Sequence, residues 1–283
     1  MATGAGTIMT ATNLANYIPT IFSKEVQVAV EKLLITGNLV DRSYESDAKA
    51  GGNVIQVPHL HEISAAVVNT ANESTLYNSI QNRSLINLNQ AYDIGVAVDD
   101  INQLQTNPKY FDKVRDKLAY GLAKQIDTNV AAYFKSFSQT VGTAGVAVTA
   151  DVMLQAYEYL NLADAPATDR CWIFDPESIT DLLKIDMFVR MDYVGDTVMK
   201  TGFTGRQILG APVYITTNLE QINASCHGAC YMHRDAVALV IQMQPKFETF
   251  RLPLQHSDAI LGMAVWGIEK MRDTFGCWIK TRS

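Results

Sequence analysis

Between Asn107 and Phe137 apolar side chains recur in steps of three and four, at Phe111, Val114, Leu118, Leu122, Ile126, Val130, Tyr133, Phe134 and Phe137. That spacing places them on one face of an α-helix. Asn107 is a good N-cap, and Pro108 suits the first helical position, where its missing N–H would have had no partner. About thirty residues at 1.5 Å each predict a rod of roughly 45 Å, against about three turns for an ordinary helix. Upstream, from Gly51, two strand-like segments bracket a long polar stretch. A long rod beside a projecting two-stranded ribbon is more typical of an assembly subunit than of a compact enzyme. The plain alternative is a central core helix in an α+β domain, and one helix can serve both roles.

A chain of 283 residues can bury a substantial core in one or two domains. A hydrophobic fraction of 48% and a charged fraction of 18% exclude a disordered chain. Charges are scarcer than the usual quarter, and Asn, Gln, Thr and Ser are plentiful, a surface suited to burial against other subunits. The net charge is −6 and no dense Lys/Arg cluster occurs, so the electrostatic footprint of strong direct nucleic-acid binding is missing. No apolar run reaches membrane-spanning length, and MATGAGTIMTATN has neither the basic nor the apolar region of a signal peptide. The expectation is synthesis inside the cell and no membrane partner. Cys171, Cys226, Cys230 and Cys277 are too scattered for a disulfide framework and are expected to be buried thiols.

Residues 1–20 are small and polar and read as a flexible arm. A helix is expected from Phe22 to Thr36, with Phe22, Val26, Val30, Leu33 and Leu34 as its stripe and Gly37 as a left-handed C-cap. Gly51-Gly52 turn into a strand over 53–58. A polar tip at 69–84 follows, and then one returning strand through Leu85, Asn87, Leu88 and Asn89 to Ile94, Val96 and Val98, with one face packed and one wet. Such a ribbon is marginal alone and needs a surface to pack on. Beyond the long helix, Gly142 to Gly145 form a break. Thr149 or Asp151 caps a helix reaching Leu160, and 171–174 form a strand. Asp175-Pro176-Glu177 starts a helix with Ile179, Leu182 and Leu183 on its face. Residues 186–208 read as a surface loop and 211–216 as a strand. From Ala229 the chain is strand-rich: 231–240 (with a short helix as alternative), 247–252, 260–270 and 275–280. This ending is expected to cover the long helix.

Chemical motifs are few. Gly205-Arg-Gln-Ile-Leu-Gly210 has phosphate-loop glycine spacing, but Ala211-Pro212 replace the required lysine and hydroxyl, so a turn into a strand is expected. Cys226, His227, Cys230 and His233 are zinc-ligand types within eight residues, yet a second ligand pair is missing. His59 and His61 share a strand face without a third ligand. His256-Ser257-Asp258 adjoin in sequence, whereas triads are defined by geometry. Asp99-Asp100 suit a turn or cap ahead of the helix. No catalytic, cofactor-binding or metal-ligating residue is assigned, and no cofactor is expected.

The order of these parts resembles the major capsid (coat) protein of tailed bacteriophages, over most of the chain from Phe22 to Thr281. The phrases that carry the resemblance are Ala50-Gly-Gly-Asn-Val-Ile-Gln-Val-Pro58, Tyr92-Asp-Ile-Gly-Val-Ala-Val-Asp-Asp100, Cys171-Trp-Ile-Phe-Asp-Pro176, the run from Gly205 to Leu219, and Trp266-Gly267 followed by 275–280. The resemblance implies an α+β fold of five parts. These are an N-terminal arm and helix (1–45), an extended two-stranded loop with flanking strands (46–100) and the spine helix of a peripheral domain (101–141). A mixed α/β axial domain (142–228) and a strand-rich return (229–283) complete it. It also implies a structural subunit, not an enzyme, closing into hexamers and pentamers of an icosahedral shell around double-stranded DNA. The partners implied are further copies of itself, scaffolding, portal and decoration proteins, and non-specific contact with packaged DNA. The location implied is the virion, with the host cytoplasm during assembly. Gly51-Gly52 and Gly142 to Gly145 are the hinge candidates. An encapsulin-type compartment shell is the alternative. A soluble metal-dependent hydrolase using Cys226, Cys230 and His233 is the second.

Overall fold

The computed structural model describes residues 36–48, 51–60, 81–99, 110–185, 207–219, 221–223 and 226–282. The strands β1 (Val54–Leu60), β2 (Gln81–Asn87) and β3 (Gln90–Asp99) precede the long helix Tyr110–Phe134. After it come β4 (Gln139–Val141), a helix at Ala150–Leu162, β5 (Arg170–Phe174), a helix at Pro176–Leu182, β6 (Gln207–Ile208) and β7 (Ala211–Ile215). The chain closes with β8 (Gln221–Asn223), β9 (Cys226–His233), β10 (Val237–Leu252), β11 (Ser257–Lys270) and β12 (Gly276–Lys280). Contacts divide the described residues into two compact units, one drawn from Ala91–Ile126 and Met243–Val265, the other from Ile35–Gln90, Asp127–Gln242 and Trp266–Ser283.

The helix is 25 residues long, a rod of roughly 37 Å. The expected cap at Asn107-Pro108 lies outside the described residues. At its other end the helix stops at Phe134, three residues short of Phe137. The Ser136 amide and hydroxyl both donate to the Tyr133 carbonyl, at 2.9 and 2.6 Å. A serine side chain competing for a backbone acceptor is a helix-ending device. Lys270 then donates to the Ser136 carbonyl at 2.7 Å, which suits the negative end of the helix dipole. Phe137 is nevertheless buried. Of the predicted stripe, Val114, Leu118, Leu122, Ile126, Val130 and Phe134 are all buried, none exposing more than 9%; Tyr133 is half-buried.

In the first unit this stripe meets the sheet of order β10-β11-β3. Val114, Leu118, Ala119, Leu122 and Ala123 form one cluster with Phe247 of β10 and Ile260 of β11, and Ile94 of β3 packs against it. Gly121 sits inside the helix, where glycine costs about 1 kcal/mol relative to alanine. Its reason is close approach, because a Cβ there would stand 2.9 Å from Ile94 Cδ1.

The second unit holds a mixed sheet of order β4-β12-β9-β5-β7-β6, with β8 paired to β9. Strand β9 runs antiparallel to both β5 and β12, while β5–β7 and β4–β12 are parallel. Trp172 and Tyr231, opposite each other in the β5–β9 register, stack at 3.8 Å and are fully buried. The helix Ala150–Leu162 buries Met153, Ala156 and Leu160 and is capped by Thr149, the first of the two cap candidates, with Asp151 in its first turn. Buried Arg170 closes the turn behind it, donating to Asn161 Oδ1 and the Pro166 carbonyl, both at 2.7 Å, and to the Ala165 carbonyl at 2.5 Å. Asp175 caps the helix Pro176–Leu182 through the amides of Glu177 and Ser178. A separate ribbon, β1–β2, pairs Ile55 with Ile86 and Val57 with Ser84. Its packed face rests on Ala48, Ala238 and Val240.

Three expectations are corrected, on Gly37, on the returning strand and on its packed face. Gly37 does not cap a helix in a left-handed conformation; it is a buried residue inside the short helix Thr36–Leu39. The single returning strand is two strands, because Leu88 and Asn89 interrupt it. Strand β2 pairs with β1, and β3 joins a different sheet. On β2 the packed residue is Ile86, while Leu85 is exposed. Residues 231–240 hold both alternatives, as strands β9 and β10 are joined by a 3-10 turn at Arg234–Ala236. The remainder of the polar tip, and the helix expected before Thr36, lie outside the described residues.

Replacing Leu122 by proline removes a helix hydrogen bond and adds a clash in the centre of the first unit's cluster, at a cost of about 3 kcal/mol or more. No soluble native-like subunit is expected by circular dichroism and thermal melting. A soluble variant with the wild-type melt would refute the organising role of the helix.

Candidate functional site

The phosphate-loop spacing resolves into a hairpin. Gly205 lies outside the described residues. Strand β6 pairs with β7 in the register Gln207↔Pro212 and Ile208↔Ala211, which leaves Leu209 and Gly210 as a two-residue turn with φ of 52° and 80°. Two successive positive φ angles define a type I′ hairpin turn, the turn that matches strand twist. Trp172 Nε1 donates to the Ile208 carbonyl at 3.0 Å. A strand follows, not a helix, so no helix N-terminus faces a phosphate.

The zinc-type residues fall on β9, where successive side chains alternate faces. Cys230 lies opposite Ile173 and Trp278, whereas His233 lies opposite Arg170. An even and an odd position on one straight strand cannot converge on one ion. His233 is also engaged, its Nδ1 accepting from the Asp235 amide at 3.2 Å. Among the described residues no group of three His, Cys, Asp or Glu side chains is placed to hold a metal. Cys171, Cys230 and Cys277 are free and buried. Burial pushes the Cys171 and Cys277 thiols up to about 12 and Cys230 well above its ordinary value. Thiols held protonated are neither nucleophiles nor ready metal ligands.

The other candidates separate in the same way. His59 is in β1, and His61 is outside the described residues. His256 is the left-handed residue of the turn before β11, with φ of 45°. Ser257 is buried, and Asp258 is held by Arg251 at 3.0 Å, so the three do not form a relay. Asp99 ends β3; Asp100 is outside the described residues.

The structure instead presents surfaces. The β10–β11 hairpin ends in a 3-10 turn, Pro253–Gln255, braced by the Arg251–Asp258 pair. Leu254 at this tip is 98% exposed, and Phe250, near the end of β10, is exposed as well. On β11, Leu261 and Met263 alternate with buried Ile260, Gly262 and Ala264, so they point away from the helix. Sequence reading missed the tip. Pro253 between two alternating strands was the available signal for a turn, and a leucine within a turn was the signal for an unusual surface. A second missed feature is a clasp at the end of the chain. Arg282 donates to both oxygens of Asp181, at 2.5 and 2.6 Å, and Lys184 adds a bond at 3.0 Å. The Asp181 side chain exposes only 2%. The Arg282 hydrogen bond holds its carboxyl below the ordinary value. Among the described residues no helix is long and apolar enough to cross a membrane.

No protein-family model matches the chain, and no curated protein matches it. Solved structures do. A structure of Mycobacterium phage Che8 is similar with a TM-score of 0.74 at 22% identity, covering 87% of this chain and 90% of that one. The capsid structure of the cyanophage P-SCSP1u is similar with a TM-score of 0.71 at 15% identity, covering 99% and 92%. A virus-like particle from Pyrococcus furiosus gives 0.60 at 13% identity, covering 92% and 98%. Likeness at these identities establishes the fold, and the fold is the α+β fold of tailed-phage major capsid proteins.

Two measurements test this geometry. Leu209→Asn places a residue tolerant of left-handed φ at an exposed position and is expected to stabilise by roughly 0.5–1 kcal/mol, while Gly210→Val is expected to cost about 1–2 kcal/mol in a urea melt. Equal midpoints for the two would refute the I′ turn. The Asp181 carboxyl has a lowered pKa in the folded state, so its contribution is present above the unfolded value near 3.9. It is lost as pH falls through the lowered folded value. Wild-type protein should lose stability over that acid window, and Asp181→Asn should show a flatter acid limb; identical limbs would remove the clasp from the account.

Proposed function

We propose that the chain is the structural subunit of an icosahedral phage capsid, self-assembling into hexamers and pentamers that enclose double-stranded DNA. The observation that carries this reading is the end-to-end likeness to the P-SCSP1u capsid, which spans 99% of this chain and 92% of that one. Cys230 and His233 fall on opposite faces of β9, which speaks against the metal-hydrolase alternative.

In this reading residues 1–45 are the arm and first helix, and the β1–β2 ribbon is the base of the extended loop. The helix Tyr110–Phe134 is the spine, 142–228 form the axial domain, and the strands from 229 return to it. The work done is mechanical. Many weak, repeated joints between identical subunits close a shell through head-to-tail contacts. A subunit of charge −6 limits sticking to the packaged DNA. Of the two hinge candidates, Gly51-Gly52 is the better placed, since a Cβ on either would meet nothing within 4 Å, whereas Gly142 lies against the Lys280 carbonyl. Scaffolding, portal and decoration proteins are the further partners, and the virion is the final location.

The second reading, an encapsulin-type compartment, is favoured by the likeness to the Pyrococcus furiosus particle. Negative-stain electron microscopy of the protein, expressed alone and with a scaffold, is the test. Closed shells or hexamer-sized rings are expected. DNA inside shells from infected cells supports the capsid, and a co-purifying cargo enzyme supports the compartment. A monomer under every condition overturns both. Because Gln81–Asn87 is a paired strand, the deletion that spares the ribbon is 61–80. That variant should remain folded and fail to close shells; normal shells would sink the loop assignment.

A further inference from the structure

We propose that the outward face of the helix Ala150–Leu162 is a docking surface for a basic, apolar segment of a second, different protein. Leu154, Glu158 and Leu162 are spaced four residues apart, so they lie in one line along the helix, about 12 Å from end to end. All three are exposed, Leu162 at 72%. The subunit uses the other face, through Met153, Ala156 and Leu160. The two outward leucines therefore add little to the chain's own core. Exposed leucines aligned on one helix form an apolar strip without a cover. Helical partners seat apolar anchors at this same four-residue spacing. The helix that carries the strip is capped by Thr149 and packed on its inner face, so the strip is already ordered and loses little entropy on docking.

Charge names the occupant. From Ser136 to Asp169 the chain has no Lys or Arg, and its carboxylates are Asp151, Glu158, Asp164 and Asp169. Asp169 sits beside Arg234, whose amide donates to its carbonyl at 3.1 Å. Among the described residues, Asp151, Glu158 and Asp164 form no ion pair. The nearest cation in sequence, Arg170, is buried and directs its donors to Asn161 and to the carbonyls of Ala165 and Pro166. The helix also ends with no basic residue in its last turn. Asp164 follows with a left-handed φ of 52°, placing a carboxylate where the helix dipole is already negative. A cation is what this end lacks. Complementarity therefore calls for Lys or Arg on the partner, flanking the apolar side chains that cover Leu154 and Leu162. Nucleic acid and an anionic lipid surface carry the wrong sign. A second copy of this chain is itself acidic, at −6, and the assembly arm of the test detects its docking.

The probe is a fluorescein-labelled leucine–lysine peptide roughly four helical turns long, with its leucines on one face. Two control peptides replace every Lys by Glu or every Leu by Ser. Anisotropy measures their binding to full-length wild type, Leu162→Ser, Glu158→Lys and Asp116→Lys, in whichever state the protein purifies. Thermal melts and electron microscopy accompany each. Asp116 is exposed on a different helix, so Asp116→Lys makes the same charge change outside the strip. Wild type should bind the leucine–lysine peptide and neither control, more weakly as salt rises. Leu162→Ser and Glu158→Lys should each lower the affinity by roughly tenfold, and Asp116→Lys should leave it unchanged. All four proteins should share one melting curve and one state of assembly. No binding by wild type, or unchanged affinity in either strip variant, would overturn the proposal. An equal loss in Asp116→Lys would reduce it to the general attraction of an acidic chain. A lowered melt for Leu162→Ser would show that the leucine serves its own subunit. Loss of shells in Leu162→Ser, where wild type forms them, would make the face a contact between copies. The capsid reading survives each of these results, and a wild type that never assembles would sink that reading while leaving the binding measurement intact.

Discussion

A helix of 25 residues with an apolar stripe along its length is unstable in water until something covers that stripe. Most of the first unit follows from this requirement. Strands β10 and β11 supply Phe247 and Ile260, and β3 supplies Ile94. The glycine at 121 accepts a loss of helix propensity because the strand has to come close. Each buried leucine or valine is worth about 1.5–3 kcal/mol, so a stripe of this length outweighs one helical glycine several times over. Where the same helix continues among second-unit residues, polar contacts finish it. Thr36 donates to buried Asp127 at 2.8 Å, and Ser136 with Lys270 ends the helix.

The second unit solves a different problem. Its mixed sheet has strands covered so thoroughly that β5 is buried at every position. Polar groups caught in such a place must be satisfied internally. Arg170 meets this condition by gathering carbonyls behind the helix Ala150–Leu162, with its charge also near the Tyr157 ring. The same burial acts on residues that look reactive in the sequence. The thiols of Cys171, Cys230 and Cys277 are held protonated by desolvation, and strand alternation separates Cys230 from His233. A sheet this dry serves rigidity.

Much of this was legible in the residues. The stripe of the long helix was read correctly at nearly every described position because a 3.6-residue period over many turns has few competitors. Thr149 and Asp175 were legible as caps because a short polar side chain before a helix has a local, nearly context-free role. The failures share a different cause. Gly37 carries the composition of a cap, yet the turn containing it is helical and buried. Leu85 and Ile86 are equally apolar, and only packing on Ala238 and Val240 selects Ile86 as the inward one. The break at Leu88-Asn89 has no glycine or proline to announce it. The clasp between Asp181 and Arg282 joins residues 101 positions apart, a separation no local pattern spans.

Local chemistry in the chain thus settled the period of each element, its caps and its tight turns. These depend on steric and hydrogen-bonding preferences acting over a few residues. Strand partnership, the split of one apparent strand between two sheets and the face each strand turns inward were settled by long-range packing. So were the protonated thiols and the leucine left in water at residue 254. A period-two pattern states that a strand has two faces, but not which surface will be there to cover one of them, since that surface comes from residues far away in the chain.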